Sequence, residues 1–183
     1  MKRLLQIFGG CGVAVAVIIA LVAWLLTGHG TSQEPVPENI PPVEGKEVAH
    51  IDVNAPGRTA DKLTYWASDL AEQTGIPPAA LRAYGNAELI AQQKWPNCHL
   101  RWNTLAGLGY VETRHGTYNG NWFKPSKLDD AAVGAAGLLC FGDRDLSNPE
   151  QWEEAILNYN QSSEYLHKVA HAANAYSVPQ SAK

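Results

Sequence analysis

The sequence predicts an all-α domain placed behind an apolar N-terminal segment and a proline-rich stretch. Three observations predict it. From Thr59 onward, apolar residues recur with the 3.6-residue period of a helix. Residues suited to helix starts and stops punctuate that pattern. No run alternates apolar and polar side chains as a half-buried strand would.

The N-terminal segment "MKRLLQIFGGCGVAVAVIIALVAWLL" carries Lys2 and Arg3 and then stays apolar to Leu26, interrupted only by Gln6. That run is long enough to cross a hydrocarbon core of ~30 Å at ~1.5 Å per residue. Basic residues before it, with no comparable cluster just after, place the N-terminus in the cytoplasm and the rest outside. Residues 1–27 are therefore expected to be a single-pass anchor in the cell membrane. A cleavable signal peptide is the rival reading, but "AWLLTGHGTS" lacks the small-residue cleavage site such a peptide needs. Cys11 lies early in the apolar run and reads as a small membrane-buried residue. Residues 28–58 hold most of the prolines ("QEPVPENIPPVEGKE") and read as a semi-extended linker.

Residues 59–178 form the expected domain, and 179–183 a short tail. In "TADKLTYWASDLAEQTG", Leu63, Trp66, Ala67 and Leu70 share a helical face, with Thr59 as N-cap and Gly75 as stop. "IPPAALRAYGNAELIAQQKW" opens on prolines suited to a first turn and puts Leu81, Tyr84, Ala87 and Ala91 on one face. A third helix spans about 101–115, with Trp102, Leu105, Ala106 and Gly109 on a face. In "DDAAVGAAGLLC", Asp129 or Asp130 is the expected cap. In "SNPEQWEEAILNYN", Ser147 and Glu150 have the spacing of a capping box. The last helix, "SSEYLHKVAHAANAY", aligns Leu166, Val169, Ala173 and Tyr176.

A net charge of −4, with Lys and Arg scattered singly, argues against nucleic acid as a partner. Cys98 and Cys140 are the only cysteines beyond the apolar segment, and an oxidising compartment favours joining them. Closing such a loop of ~40 residues is worth roughly 4 kcal/mol on chain-entropy grounds.

Glu112 stands out in the third helix. It projects close to Leu105, one turn beyond Leu108, in the last turn before Gly116. Apolar neighbours and the negative end of the helix would both favour its neutral form. A protonated carboxyl near neutral pH is what glycoside cleavage requires of a general acid. The alternative is that Glu112 bends outward and pairs with Arg114 or Arg101.

Two stretches, "CHLRWNTLAGLGYVETRHGTY" and "LDDAAVGAAGLLCFGDRDLSNPEQWEEAILNYNQSSEY", carry a family resemblance. They resemble the lytic murein transglycosylases of the lysozyme superfamily, nearest to the membrane-bound transglycosylase B type of actinobacteria. "IPPAALRAYGNAELIAQQ" resembles the lead-in helix of that group. The resemblance implies a small lysozyme-like helical domain acting on peptidoglycan glycan strands. It assigns Glu112 as the sole catalytic acid, and it matches Thr113, Tyr159 and Asn160 to residues lining the family's cleft. Trp122 and Phe123, just beyond the glycine turn, are further candidates for contact with sugar rings. The implied reaction cleaves the β-1,4 bond between N-acetylmuramic acid and N-acetylglucosamine and leaves a 1,6-anhydro end. No cofactor and no metal are called for.

One departure is plain. Relatives carry a long segment with a Gly-Pro-Met-Gln-Phe motif between the glutamate helix and the next, building a second cleft wall. Here only "GTYNGNWFKPSK" joins them, and Met1 is the sole methionine. Three readings follow: an active lytic transglycosylase, a non-catalytic peptidoglycan-binding or envelope scaffold protein, and a hydrolytic lysozyme-like muramidase. With that wall missing, the chain reads as a weak enzyme, as an enzyme completed by a cell-wall or division partner, or as a remnant that still binds glycan.

Other candidates rank lower. His167 and His171 have the i, i+4 spacing of a metal pair, but Lys168 stands where a zinc protease has its base. Glu112 and His115 have E-x-x-H spacing without a second copy. Cys98 beside His99 would be a nucleophile only if unbridged.

Overall fold

The structure, a computed structural model, describes residues 35–117 and 123–182. Among these residues there are six α-helices and no strand, in agreement with the all-α expectation. A 3-10 turn, Thr59–Leu63, leads into α1 (Thr64–Thr74). Then come α2 (Pro78–Lys94), α3 (Trp102–Thr113), α4 (Pro125–Leu139), α5 (Pro149–Leu157) and α6 (Ser163–Ser177). No helix among the described residues is long and apolar enough to cross a membrane. The anchor expected over residues 1–27 lies outside them.

The faces expected from periodicity are the buried ones. Leu63, Ala67, Leu70, Leu81, Ala87, Leu105, Val169 and Tyr176 all lie within one core with Trp66, Trp102, Trp152 and Ile156. Gly75 ends α1 in the left-handed conformation, φ 70°, that glycine adopts without strain. The most extensive contacts join α3 to α6 and α2 to α4. Cys98 and Cys140 are bridged, Cα–Cα 5.4 Å, which ties the turn before α3 to the C-terminus of α4.

The α3–α6 contact depends on Gly107. A Cβ there would lie 2.6 Å from the Val169 carbonyl oxygen and 3.2 Å from the Ala173 Cβ. The first atom belongs to backbone and cannot swing aside. Gly107→Ala is therefore expected to force the helices apart and lower stability by about 1–3 kcal/mol. A urea midpoint equal to that of the unmodified chain would show that α6 shifts without cost.

Three helix starts differ from expectation because another partner takes the expected cap. The Thr59 hydroxyl donates to Asn86 Oδ1 instead of capping, 2.7 Å. Helix α4 begins at Pro125 without a side-chain cap, while Asp129 accepts from Arg58 at 2.5 and 2.8 Å. Ser147 bonds to Asp145, and Asn148 caps α5 by accepting from the Gln151 N–H, 3.1 Å.

The larger difference is in the proline-rich stretch. Instead of standing off as a linker, residues 39–48 run as a strap fastened to the helices. The Asn39 carbonyl accepts from Asn174, 2.8 Å, and that of Val43 from Asn103, 2.8 Å. The Lys46 and Glu47 carbonyls accept from the indole N–H groups of Trp102 and Trp66, both at 2.9 Å. Val48 is buried in the core. The compact unit accordingly begins at Pro35. The reason is hydrogen-bond demand: four buried side-chain donors need acceptors, and an extended chain offers its carbonyls freely. At the other end, Gln180 N–H donates to the Ala175 carbonyl, 3.0 Å, so the short tail also folds back.

Candidate functional site

The site is built on the last turn of α3. The first turn of that helix has no cap of its own, and Glu88 of α2 supplies one: its Oε2 accepts from the Trp102 N–H, 2.6 Å. Glu88 is buried, with Gln92 donating to its other oxygen at 3.0 Å and the Arg101 guanidinium 3.7 Å away. Burial pushes its carboxyl up to about 7, outweighing the Trp102 N–H and Arg101, which both favour the charged form. With the folded value above the unfolded one, this group's stabilisation is fully present below the unfolded value near 4.5 and is lost as pH rises through about 7. The chain is therefore expected to unfold more easily at pH 8 than at pH 5, by roughly 3 kcal/mol from this group. Glu88→Gln is expected to flatten the profile. A variant with the same pH slope would assign that slope to other groups.

At the far end of α3, Glu112 does not lie against apolar neighbours as expected. The residue is exposed. It pairs with neither Arg101 nor Arg114: Arg101 bonds Glu44 at 2.6 Å, and Arg114 donates to the Tyr110 carbonyl at 2.9 Å and stacks on the Tyr110 ring. What holds Glu112 is Tyr165, whose hydroxyl donates to Oε1 at 2.5 Å. Tyr165 sits in the first turn of α6, where Ser162 caps the helix by accepting the Tyr165 N–H, 3.4 Å. Its phenol is raised above the ordinary range by burial first, and then by the Glu112 bond and charge.

Tyr159 lies close enough for the Glu112 charge to act on it; burial, and then that charge, push its phenol up to about 12. Its hydroxyl donates to the Ala135 carbonyl, 3.2 Å, so the ring is fastened to α4. Asn160 is exposed, and its side chain makes no hydrogen bond to the described residues. Thr113 is turned into the helix end: its hydroxyl donates to the Gly109 carbonyl, 3.3 Å, and accepts from Gly116 N–H, 2.9 Å. Phe123 folds over the Gly116 turn, its N–H donating to the Gly116 carbonyl at 3.1 Å. Trp122 lies outside the described residues.

The structure thus brings Glu112 and Tyr159 together and adds Tyr165, which sequence reasoning missed. The available signal was weak: a tyrosine at the start of a helix, six residues beyond Tyr159. The sequence points to His115 only through its E-x-x-H spacing from Glu112. Its two ring nitrogens instead bond the hydroxyls of Tyr84 and Tyr176, at 3.2 and 2.9 Å. His167 and His171 line a cavity of about 370 Å³ with Glu38 and Asn174. Among the described residues no group of three or more metal-ligating side chains is assembled.

Comparison with known proteins adds no identity: no family, no curated protein and no solved structure matches this chain.

Proposed function

We propose that the protein is a peptidoglycan lytic transglycosylase in which Glu112 is the only acid–base group. The Tyr165–Glu112 hydrogen bond carries this reading. A hydroxyl committed to Oε1 leaves Oε2 as the oxygen free to exchange a proton with the substrate. Glu112 protonates the glycosidic oxygen between N-acetylmuramic acid and N-acetylglucosamine. The substrate's N-acetyl group stabilises the cation-like carbon. The resulting carboxylate then takes the proton from the C6 hydroxyl as that oxygen closes the 1,6-anhydro ring. One carboxylate serves both steps, so no second acid across the cleft is needed.

The bond from Tyr165 is stronger to a carboxylate than to a neutral carboxyl, so it gains strength as the proton leaves. That is stabilisation gained along the first step, the kind that raises kcat. Exposure of Glu112 in the free protein leaves it accessible to a glycan strand, which would exclude water from it on binding. The membrane anchor would hold the domain on the outer face of the cell membrane, next to its substrate.

The test is the chemistry of the released ends. Incubation of the full chain, purified in detergent, with purified peptidoglycan is expected to release 1,6-anhydro-muropeptides, detected by mass spectrometry. Reducing ends instead would point to a hydrolytic muramidase. Tyr165→Phe is expected to lower kcat about tenfold or more, the worth of one hydrogen bond to a charged group. A second reading is favoured by the exposure of Glu112 and the short connection that follows it: a non-catalytic protein that retains glycan binding. Retention on sedimented peptidoglycan without product release would decide for it.

A further inference from the structure

The end of α3 is held in an unusual backbone. Arg114, His115 and Gly116 are consecutive left-handed residues, with φ of 51°, 60° and 79°. Only Gly116 adopts this conformation without steric conflict; the two side-chain-bearing residues need compensation from their surroundings. Backbone bonds supply part of it: Arg114 N–H donates to the Tyr110 carbonyl, 3.2 Å, and His115 N–H to that of Gly109, 2.8 Å.

The rest comes from the imidazole. His115 is buried, and its ring joins two helices that do not belong to its own segment. Nδ1 meets the Tyr84 hydroxyl of α2, and Nε2 meets the Tyr176 hydroxyl of α6. Tyr84, Tyr176 and, from α3 itself, Tyr110 surround the ring, with centroids 5.7–5.9 Å away. Arg114 is the charged group beside it. Burial, and then the Arg114 charge, hold the imidazole down to about 4, so it is neutral at physiological pH. A neutral imidazole offers one donor and one acceptor, which matches two hydroxyls without a leftover charge. The fit on the α3 side is close: a Cβ on Gly109 would lie 2.0 Å from the Tyr84 hydroxyl oxygen.

We propose that His115 is a positioning residue: bridging Tyr84 and Tyr176, it locks the left-handed end of α3 and so fixes Glu112 against Tyr165. The proposal rests on the reading of Glu112 as the catalytic acid. The lever is short. Glu112 lies three residues before His115, and Thr113, between them, bonds both the helix and the Gly116 turn. With the ring unbridged, residues 114–116 relax toward right-handed or extended backbone, and the last turn of α3 reorients. Glu112 then leaves the Tyr165 hydroxyl.

Two substitutions in the full chain, purified in detergent, test this. His115→Asn keeps a residue tolerant of positive φ but too short to reach both tyrosines. Tyr176→Phe removes one hydroxyl and substitutes no residue of the left-handed turn itself. Folding is followed by circular dichroism and thermal melting. Positioning is read from the NMR resonance of the Tyr165 hydroxyl proton, slow to exchange while bonded to Glu112. Both variants are expected to fold, to lose that resonance, and to show kcat reduced roughly ten- to hundredfold at unchanged KM. Folded variants that keep the resonance and the kcat would overturn the proposal. Should His115→Asn not fold, Tyr176→Phe alone decides by the same two results. If the unmodified chain releases no anhydro product, the hydroxyl resonance still decides the positioning role, and only the catalytic assignment falls.

Discussion

Glu112→Gln is expected to abolish release of anhydro-muropeptides, with a loss in rate of about 10²- to 10⁴-fold, the usual worth of a positioned acid–base group. The size of the loss comes from chemistry rather than shape. A glutamine fills the same volume, and its amide oxygen still accepts from the Tyr165 hydroxyl. It has no acidic proton for the glycosidic oxygen and no basic oxygen for the C6 hydroxyl. Thermal stability and retention on sedimented peptidoglycan are expected to match the unmodified chain, because Glu112 is exposed and supports no packing. Full activity in the variant would remove Glu112 from the mechanism and require another group as the acid.

Opening the Cys98–Cys140 bridge is expected to be the most costly single change to stability. The bridge closes a span of 42 residues, worth about 4 kcal/mol by unfolded-chain entropy. In a domain of this size that corresponds to a fall of roughly 10 °C in Tm. The effect reaches the site because Cys98 lies just before α3 and its carbonyl accepts from Leu146 N–H, 2.8 Å. Melting curves with and without reductant, and for Cys98→Ser with Cys140→Ser, measure it. Coincident curves would mean that packing alone holds the entry to α3.

Much of this was legible in the chain. Helix faces follow from period, and period is local: Leu63, Trp66 and Leu70, or Leu166, Val169 and Tyr176, are buried as their spacing demands. Caps were less legible because they are settled by competition with distant residues. Asp129 is drawn to Arg58 and Thr59 to Asn86, partners that no window of sequence brings together. In the site, Glu112 could be singled out by its place before a glycine turn. Its surroundings could not: Tyr165 reaches it from another helix across 53 positions. The apolar projection of Glu112 suggested burial, yet the helix end turns it outward and a tyrosine, not a hydrophobic wall, receives it. The proline-rich stretch misled for a related reason. Composition reports that a segment will be extended, but not whether buried donors elsewhere will capture it.

That captured strap distributes sequence constraint unevenly. It is gripped mainly through its carbonyls, which every residue type possesses, by side chains that only asparagine and tryptophan provide at those distances. Most strap residues are therefore expected to be interchangeable, while Asn103, Asn174, Trp66 and Trp102 are not. Gly45 and Val48 are the exceptions within the strap: a Cβ at Gly45 would lie 2.8 Å from the Trp102 ring, and Val48 is buried in the core. The helices read the strap as a backbone, almost indifferent to its letters.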